Sequence, residues 1–226
     1  MKNNLALKTY ISSAVLMVVL ALVTFISAGT IKFTRGWVLI IAIGVPSFLI
    51  SYFSLKSSPN LSERRLKGGP TAEKRGAQKI LQLINGISYL LVLIIGGLNW
   101  RFGWPQIPNI FLIIGIIIIF CGYFGVYMVF RENEYASATI GVESNQKLIE
   151  TGPYSLVRHP MYTATSLILI GMPLVIGAYF SFLPVLVLLV GVYFRAIDEE
   201  KNLNAEMPGY SDYSERVKYR FIKGVI

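Results

Sequence analysis

His159, the single histidine of this 226-residue chain, stands between Arg158 and Pro160 at the edge of a long apolar run. Around it, Thr151–Tyr162 reads Thr-Gly-Pro-Tyr-Ser-Leu-Val-Arg-His-Pro-Met-Tyr. Ionisable groups kept at the mouth of an apolar segment are costly and mostly functional. A plainer reading makes Gly152-Pro153 a turn and Arg158 an interfacial anchor. A second cluster, Arg195, Asp198, Glu199 and Glu200, closes the last apolar run. Arg195 and Glu199 are i,i+4 neighbours on one helical face, but a cation ahead of an acid is the weaker order for a helical ion pair. Such a pair at the surface contributes only ~0.3–0.5 kcal/mol. The spacing therefore suggests two groups facing a polar ligand, Arg gripping a carboxylate as a fork and Glu taking amine or hydroxyl donors.

Several chemistries are excluded. One histidine and one cysteine (Cys121) cannot by themselves build a zinc or iron site, and no His-x-x-x-His or Cys-x-x-Cys occurs. There is no Gly-x-x-x-x-Gly-Lys phosphate loop, no Gly-x-Gly-x-x-Gly opening a helix after a strand, and no nucleophile elbow to accompany His159.

The elements that position these clusters follow from composition. The chain is 54% hydrophobic and 15% charged, with a mean hydropathy of +0.59, too apolar for an ordinary soluble domain. Residues 9–31, 36–55, 80–100 and 102–130 carry no Asp, Glu, Lys or Arg, and each reaches the roughly 20 residues that cross a bilayer. Residues 159–194 form a fifth such window, 36 long. That length suits two short spans folding back at Gly177–Ser181. The expected fold class is all-α, a multi-pass integral membrane helical protein of about six transmembrane helices with a C-terminal helical hairpin. The spans are expected near 10–28, 37–55, 80–98, 109–130 and, for the hairpin, 160–194, with a helical continuation to Glu206 stopped by Met207-Pro208-Gly209. Residues 1–130 read as four N-terminal helices, and 131–226 as a catalytic region ending in an amphipathic tail.

The net charge of +9 is distributed by topology rather than for nucleic acid. Six spans place eighteen of the twenty-one Lys and Arg residues on one side, leaving Lys32, Arg35 and Arg101 on the other. By the positive-inside pattern the rich side is cytoplasmic, with both termini. The basic segment 56–79, broken at Gly68-Gly69-Pro70, reads as a topology determinant that attracts anionic headgroups. The first two helices carry no polar residue beyond Ser and Thr and read as bulk or a docking surface.

Gly-Pro-Tyr-x3-Arg-His-Pro-x-Tyr at 152–162, then Arg195-x2-Asp-Glu-Glu-x2-Leu and Gly209-Tyr-x2-Tyr, together resemble the isoprenylcysteine carboxyl methyltransferases and their phospholipid methyltransferase relatives. The resemblance spans about 131–224. It implies an integral-membrane enzyme using S-adenosyl-L-methionine. It also implies that Gln146, Lys147, Leu148, Ile149, Tyr154, His159, Pro160, Met161, Tyr162 and Glu199 bind that cofactor and that Arg195 faces the methyl acceptor. Asn133 matches an asparagine at the start of the family block, whereas Thr139 replaces a longer polar side chain. The partners implied are membrane lipids and a lipophilic or lipidated acceptor. Carboxyl O-methylation needs no strong base; an amine acceptor would need a proton sink, with His159 or Glu200 as candidates. Rival readings are a steroid-reductase-like NADPH enzyme and a non-catalytic membrane scaffold.

Overall fold

The structure, a computed structural model, describes residues 2–69, 71–73, 75–139, 141 and 146–225. Pro70 and Lys74 of the basic segment lie outside these residues. Eight α-helices are described: α1 (Lys2–Ala28), α2 (Thr34–Ser57), α3 (Pro59–Leu66), α4 (Gly76–Arg101), α5 (Asn109–Glu132), α6 (Pro160–Ile176), α7 (Phe182–Glu206) and α8 (Tyr210–Arg216). The chain is an all-α integral membrane protein. Five helices, α1, α2, α4, α5 and α7, are long and apolar enough to cross a membrane. The remaining expected span, α6, is an apolar helix of 17 residues, about 26 Å long. The hairpin arms are unequal in length because α7 carries the expected continuation past Phe194 to Glu206. α6 ends at Gly177, whose φ of +84° suits a residue without a Cβ.

The apolar side chains divide between core and outer surface as a bilayer allows. Leu39, Val92, Ile119, Met172 and Val185 are buried at the centre, while Leu22, Ile41, Ile117, Phe124 and Leu186 face outward. With lipid as apolar as the core, close backbone approach drives helix association. Gly122 of α5 and Gly171 of α6 provide it. A Cβ on Gly122 would stand 2.7 Å from the Ala164 carbonyl oxygen, and one on Gly171 2.8 Å from the Gly115 carbonyl oxygen.

At the end away from the site, Arg35 of α2 ties the loops together. Its Nη2 donates to the Ile107 carbonyl at 2.8 Å and to Asn109 Oδ1 at 2.7 Å, and Ile107 N–H donates to the Gly177 carbonyl. α3 was not expected within the basic segment. Pro59 occupies its first turn, and the Ser58 hydroxyl accepts from Leu61 N–H. Beyond α8 the tail does not lie free on the surface. Arg158 and His159 N–H donate to the Tyr219 and Arg220 carbonyls at 2.9 and 2.8 Å, so the tail straps the start of α6.

Candidate functional site

The site forms where the helices end unevenly: α6 starts at Pro160 while α7 continues beside it to Glu206. Upstream, a 3-10 turn at Gly152–Ser155 aims Tyr154 inward. Gly152 has φ +56°, and a Cβ there would strike the Glu132 side chain, so glycine is required. Asn133 Nδ2 donates to the Tyr154 hydroxyl at 2.8 Å, and the Tyr213 hydroxyl donates to the Tyr154 carbonyl at 2.8 Å. Burial pushes the Tyr154 phenol up and that of Tyr213 to about 12, so both are neutral donors near neutral pH.

One cavity of about 390 Å³ gathers the residues singled out in the sequence. Gln146, Lys147, Leu148 and Ile149 come from the extended segment before the turn, and Tyr154 from the turn itself. His159, Pro160, Met161 and Tyr162 open α6, and Arg195 and Glu199 project from α7; all line this cavity, as do Asn133 and Thr139. The volume suits a small-molecule or cofactor site.

Arg195 and Glu199 do not pair directly. The Tyr162 hydroxyl lies between them, donating to Glu199 Oε2 at 2.7 Å and accepting from Arg195 Nε at 3.2 Å. Arg195 Nη2 meets Glu73 Oε1 at 2.6 Å, with only 10% and 1% of the two side chains exposed. It also donates to the Ala138 carbonyl at 2.9 Å, and Nη1 donates to Gln78 Oε1 at 3.0 Å. Among the described residues, one N–H on Nη1 is left over from the guanidinium's roughly five. Arg195 therefore reaches the cavity wall already neutralised, unlike the free fork expected from spacing. Asp198 turns the other way, accepting from Gln78 Nε2 at 2.7 Å and Arg75 Nη1 at 3.2 Å.

Glu200 anchors a second network behind the wall. Its Oε1 accepts from Arg158 Nε at 2.8 Å and lies 3.1 Å from His159 Nε2; its Oε2 accepts from Arg220 Nε at 2.9 Å. Glu200 is not among the cavity-lining residues, so it is engaged by cations rather than presented to a substrate. His159, only 5% exposed, stacks on Tyr162 with ring centroids 5.4 Å apart. Its Nδ1 is 3.9 Å from Glu199 Oε2, beyond hydrogen-bond reach.

Sequence reasoning missed several contributors. Arg65 and Gln82 line the cavity, while Glu73 and Gln78 hold Arg195. These residues come from the segment read as a topology signal and from the start of α4. Tyr210, in the Gly-Tyr-x2-Tyr block, also lines the cavity. It is 3% exposed and its hydroxyl has no hydrogen-bond partner among the described residues. A buried unpaired hydroxyl is unfavourable unless a ligand satisfies it. Together with Glu199 and Tyr154, it makes a donor and acceptor set that fits a polar, cationic small molecule.

Residues 110–207 match the family model of the phospholipid methyltransferases, bearing out the resemblance across the stretch from α5 to the end of α7. No curated protein was found to match the chain. The matched stretch contains all the site residues singled out in the sequence and excludes α1–α4, α8 and the tail strap.

Proposed function

We propose that the chain transfers a methyl group from S-adenosyl-L-methionine to an amphiphilic acceptor at the cytoplasmic face of the membrane, by carboxyl O-methylation. The observation that carries this reading is the convergence of the 146–149, 154, 159–162 and 195–199 blocks on one cavity within a stretch that matches a methyltransferase family. When bound, the cofactor supplies an electrophilic methyl on a sulfonium, displaced in line by an acceptor oxygen, with the C–S electron pair leaving on sulfur.

The chain's own residues hold and orient. Glu199, fixed by the Tyr162 hydroxyl, takes the donor's amine or ribose hydroxyls and complements its positive charge. Tyr154 and Tyr210 add neutral polar contacts, and Gln146–Ile149 forms the facing wall. Arg195, held by Glu73 and Gln78, is a positioning residue that sets the Tyr162 hydroxyl. A carboxylate releases no proton on methylation, which suits a site whose acids are engaged: Glu73 by Arg195 and Glu200 by Arg158 and Arg220. Orientation and exclusion of water supply the acceleration. Residues 131–226 form the catalytic region in this reading, completed by Arg65, Glu73 and Gln78 from the first 130 residues.

N-methylation of a lipid amine is the second reading, favoured by the description of the matching family. It requires a proton acceptor, and His159 Nδ1 is the group on the cavity wall for that role. Incubation of purified protein with methyl-tritiated cofactor and a lipid extract tests the two. Volatile tritiated methanol released by mild alkali identifies an ester; base-stable label in the lipid would refute O-methylation.

A further inference from the structure

Beside the first cavity lies a second of about 310 Å³, between α1, α2, α3, α5 and α6. Its wall is rich in hydroxyls, with Ser13 paired to Ser51 at 3.0 Å, Ser54 to Ser62 at 2.9 Å and Ser47 to Tyr123 at 2.8 Å. Ile50, Val126 and Ile168 supply apolar surface between them. Arg65, Met161 and Thr165 border both cavities. The first two helices, read from sequence as bulk or a docking surface, help build a chamber that meets the proposed donor site at Arg65.

Arg65 is an unusual group to find there. Protein packs around it closely enough for burial to pull its guanidinium pKa below the ordinary value, yet it remains exposed at the edge of the two cavities. Its contacts are the Ser137 carbonyl, at a long 3.3 Å from Nη1, and the Phe130 ring, 5.5 Å from Cζ. No carboxylate among the described residues pairs with it, and it is not neutralised as Arg195 is by Glu73. A cation set against low-dielectric surroundings, with donors to spare, attracts a planar or tetrahedral anion.

We infer that Arg65 is the seat for the acceptor's anionic group, so that an amphiphile lying in the hydroxyl-lined chamber presents a carboxylate or phosphate at the junction with the donor cavity. This inference rests on the methyl-transfer reading and identifies its substrate class as an anionic amphiphile. The seat belongs to α3, outside the stretch matched by the family model, and so is a specificity feature carried by this chain's own N-terminal half.

The test is equilibrium binding of dodecanoate, dodecyl phosphate and neutral dodecanol to protein in nonionic detergent, saturated with S-adenosyl-homocysteine. The native protein is expected to bind the anions about tenfold or more tightly than dodecanol, the scale of a charge-assisted fork. In Arg65→Gln that advantage falls below about threefold. Arg65→Lys, which keeps the charge and loses the fork, lies between, and serves should the Gln variant fail to fold. Stronger binding of dodecanoate points to a carboxylate acceptor, and stronger binding of dodecyl phosphate to a phosphate headgroup; both support the seat. An anion advantage that survives in Arg65→Gln, or is missing from the native protein, overturns it. Failure of S-adenosyl-homocysteine to bind the native protein overturns the methyl-transfer reading instead.

Discussion

Replacing Glu73 by alanine removes the carboxylate 2.6 Å from Arg195 Nη2, where the two side chains are 1% and 10% exposed. Breaking a buried ion pair from one side costs about 3–5 kcal/mol, because a desolvated charge is left behind. Arg195 retains Gln78, the Ala138 carbonyl and Tyr162, so the lower end, about 3 kcal/mol, is expected. For a chain of this size that is roughly 6–12 °C in unfolding midpoint. The assay is thermal unfolding in detergent of Glu73→Ala, Arg195→Met and the double variant. The cycle isolates the pairwise coupling, expected to exceed about 1 kcal/mol, with the double variant recovering part of the single-variant loss. The same cycle run on Glu199→Gln with Arg195→Met should give a smaller coupling, since those two meet only through Tyr162. Additive Glu73 and Arg195 effects, or stronger coupling to Glu199, would refute the pairing.

Three other outcomes are expected. Glu200→Ala leaves Arg158, His159 and Arg220 without their shared carboxylate, so limited proteolysis should cleave the tail near Lys218 or Lys223 faster; unchanged cleavage argues against the strap. The Tyr213 phenol, raised by burial to about 12 from about 10 unfolded, contributes stability fully present below pH 10 and lost as pH rises to 12. The unfolding midpoint should therefore fall across that window, less steeply in Tyr213→Phe; equal slopes contradict this. Single cysteines at Lys67 and Gly103 should react with impermeant thiol reagents from opposite sides of the membrane, Lys67 from the cytoplasm; labelling from one side overturns the topology.

Much of the architecture was legible because helix boundaries are written locally. Charge-free windows marked the apolar helices, Pro160 the start of α6, Gly177 its end and Met207-Pro208-Gly209 the end of α7. The cavity residues were legible too, since their blocks flank the hairpin that brings them together. What escaped were partnerships across loops. Glu73 is one of two acids in a basic segment, and no periodicity indicates that it reaches Arg195. α3 was signalled only by Ser58-Pro59, and its lone outcome of consequence, Arg65 at the junction of two cavities, depends on the tertiary fold. The tail was read as amphipathic from composition, yet its backbone carbonyls, which composition does not describe, hold α6.

Titration calorimetry of the purified protein with S-adenosyl-L-methionine and, separately, NADPH addresses the cavity most directly. Saturable binding of S-adenosyl-L-methionine is expected, weakened about tenfold or more in Glu199→Gln and largely retained in Arg195→Ala. Binding of NADPH alone, of neither compound, or of S-adenosyl-L-methionine with undiminished affinity in Glu199→Gln would contradict a methyl-donor site built on Glu199.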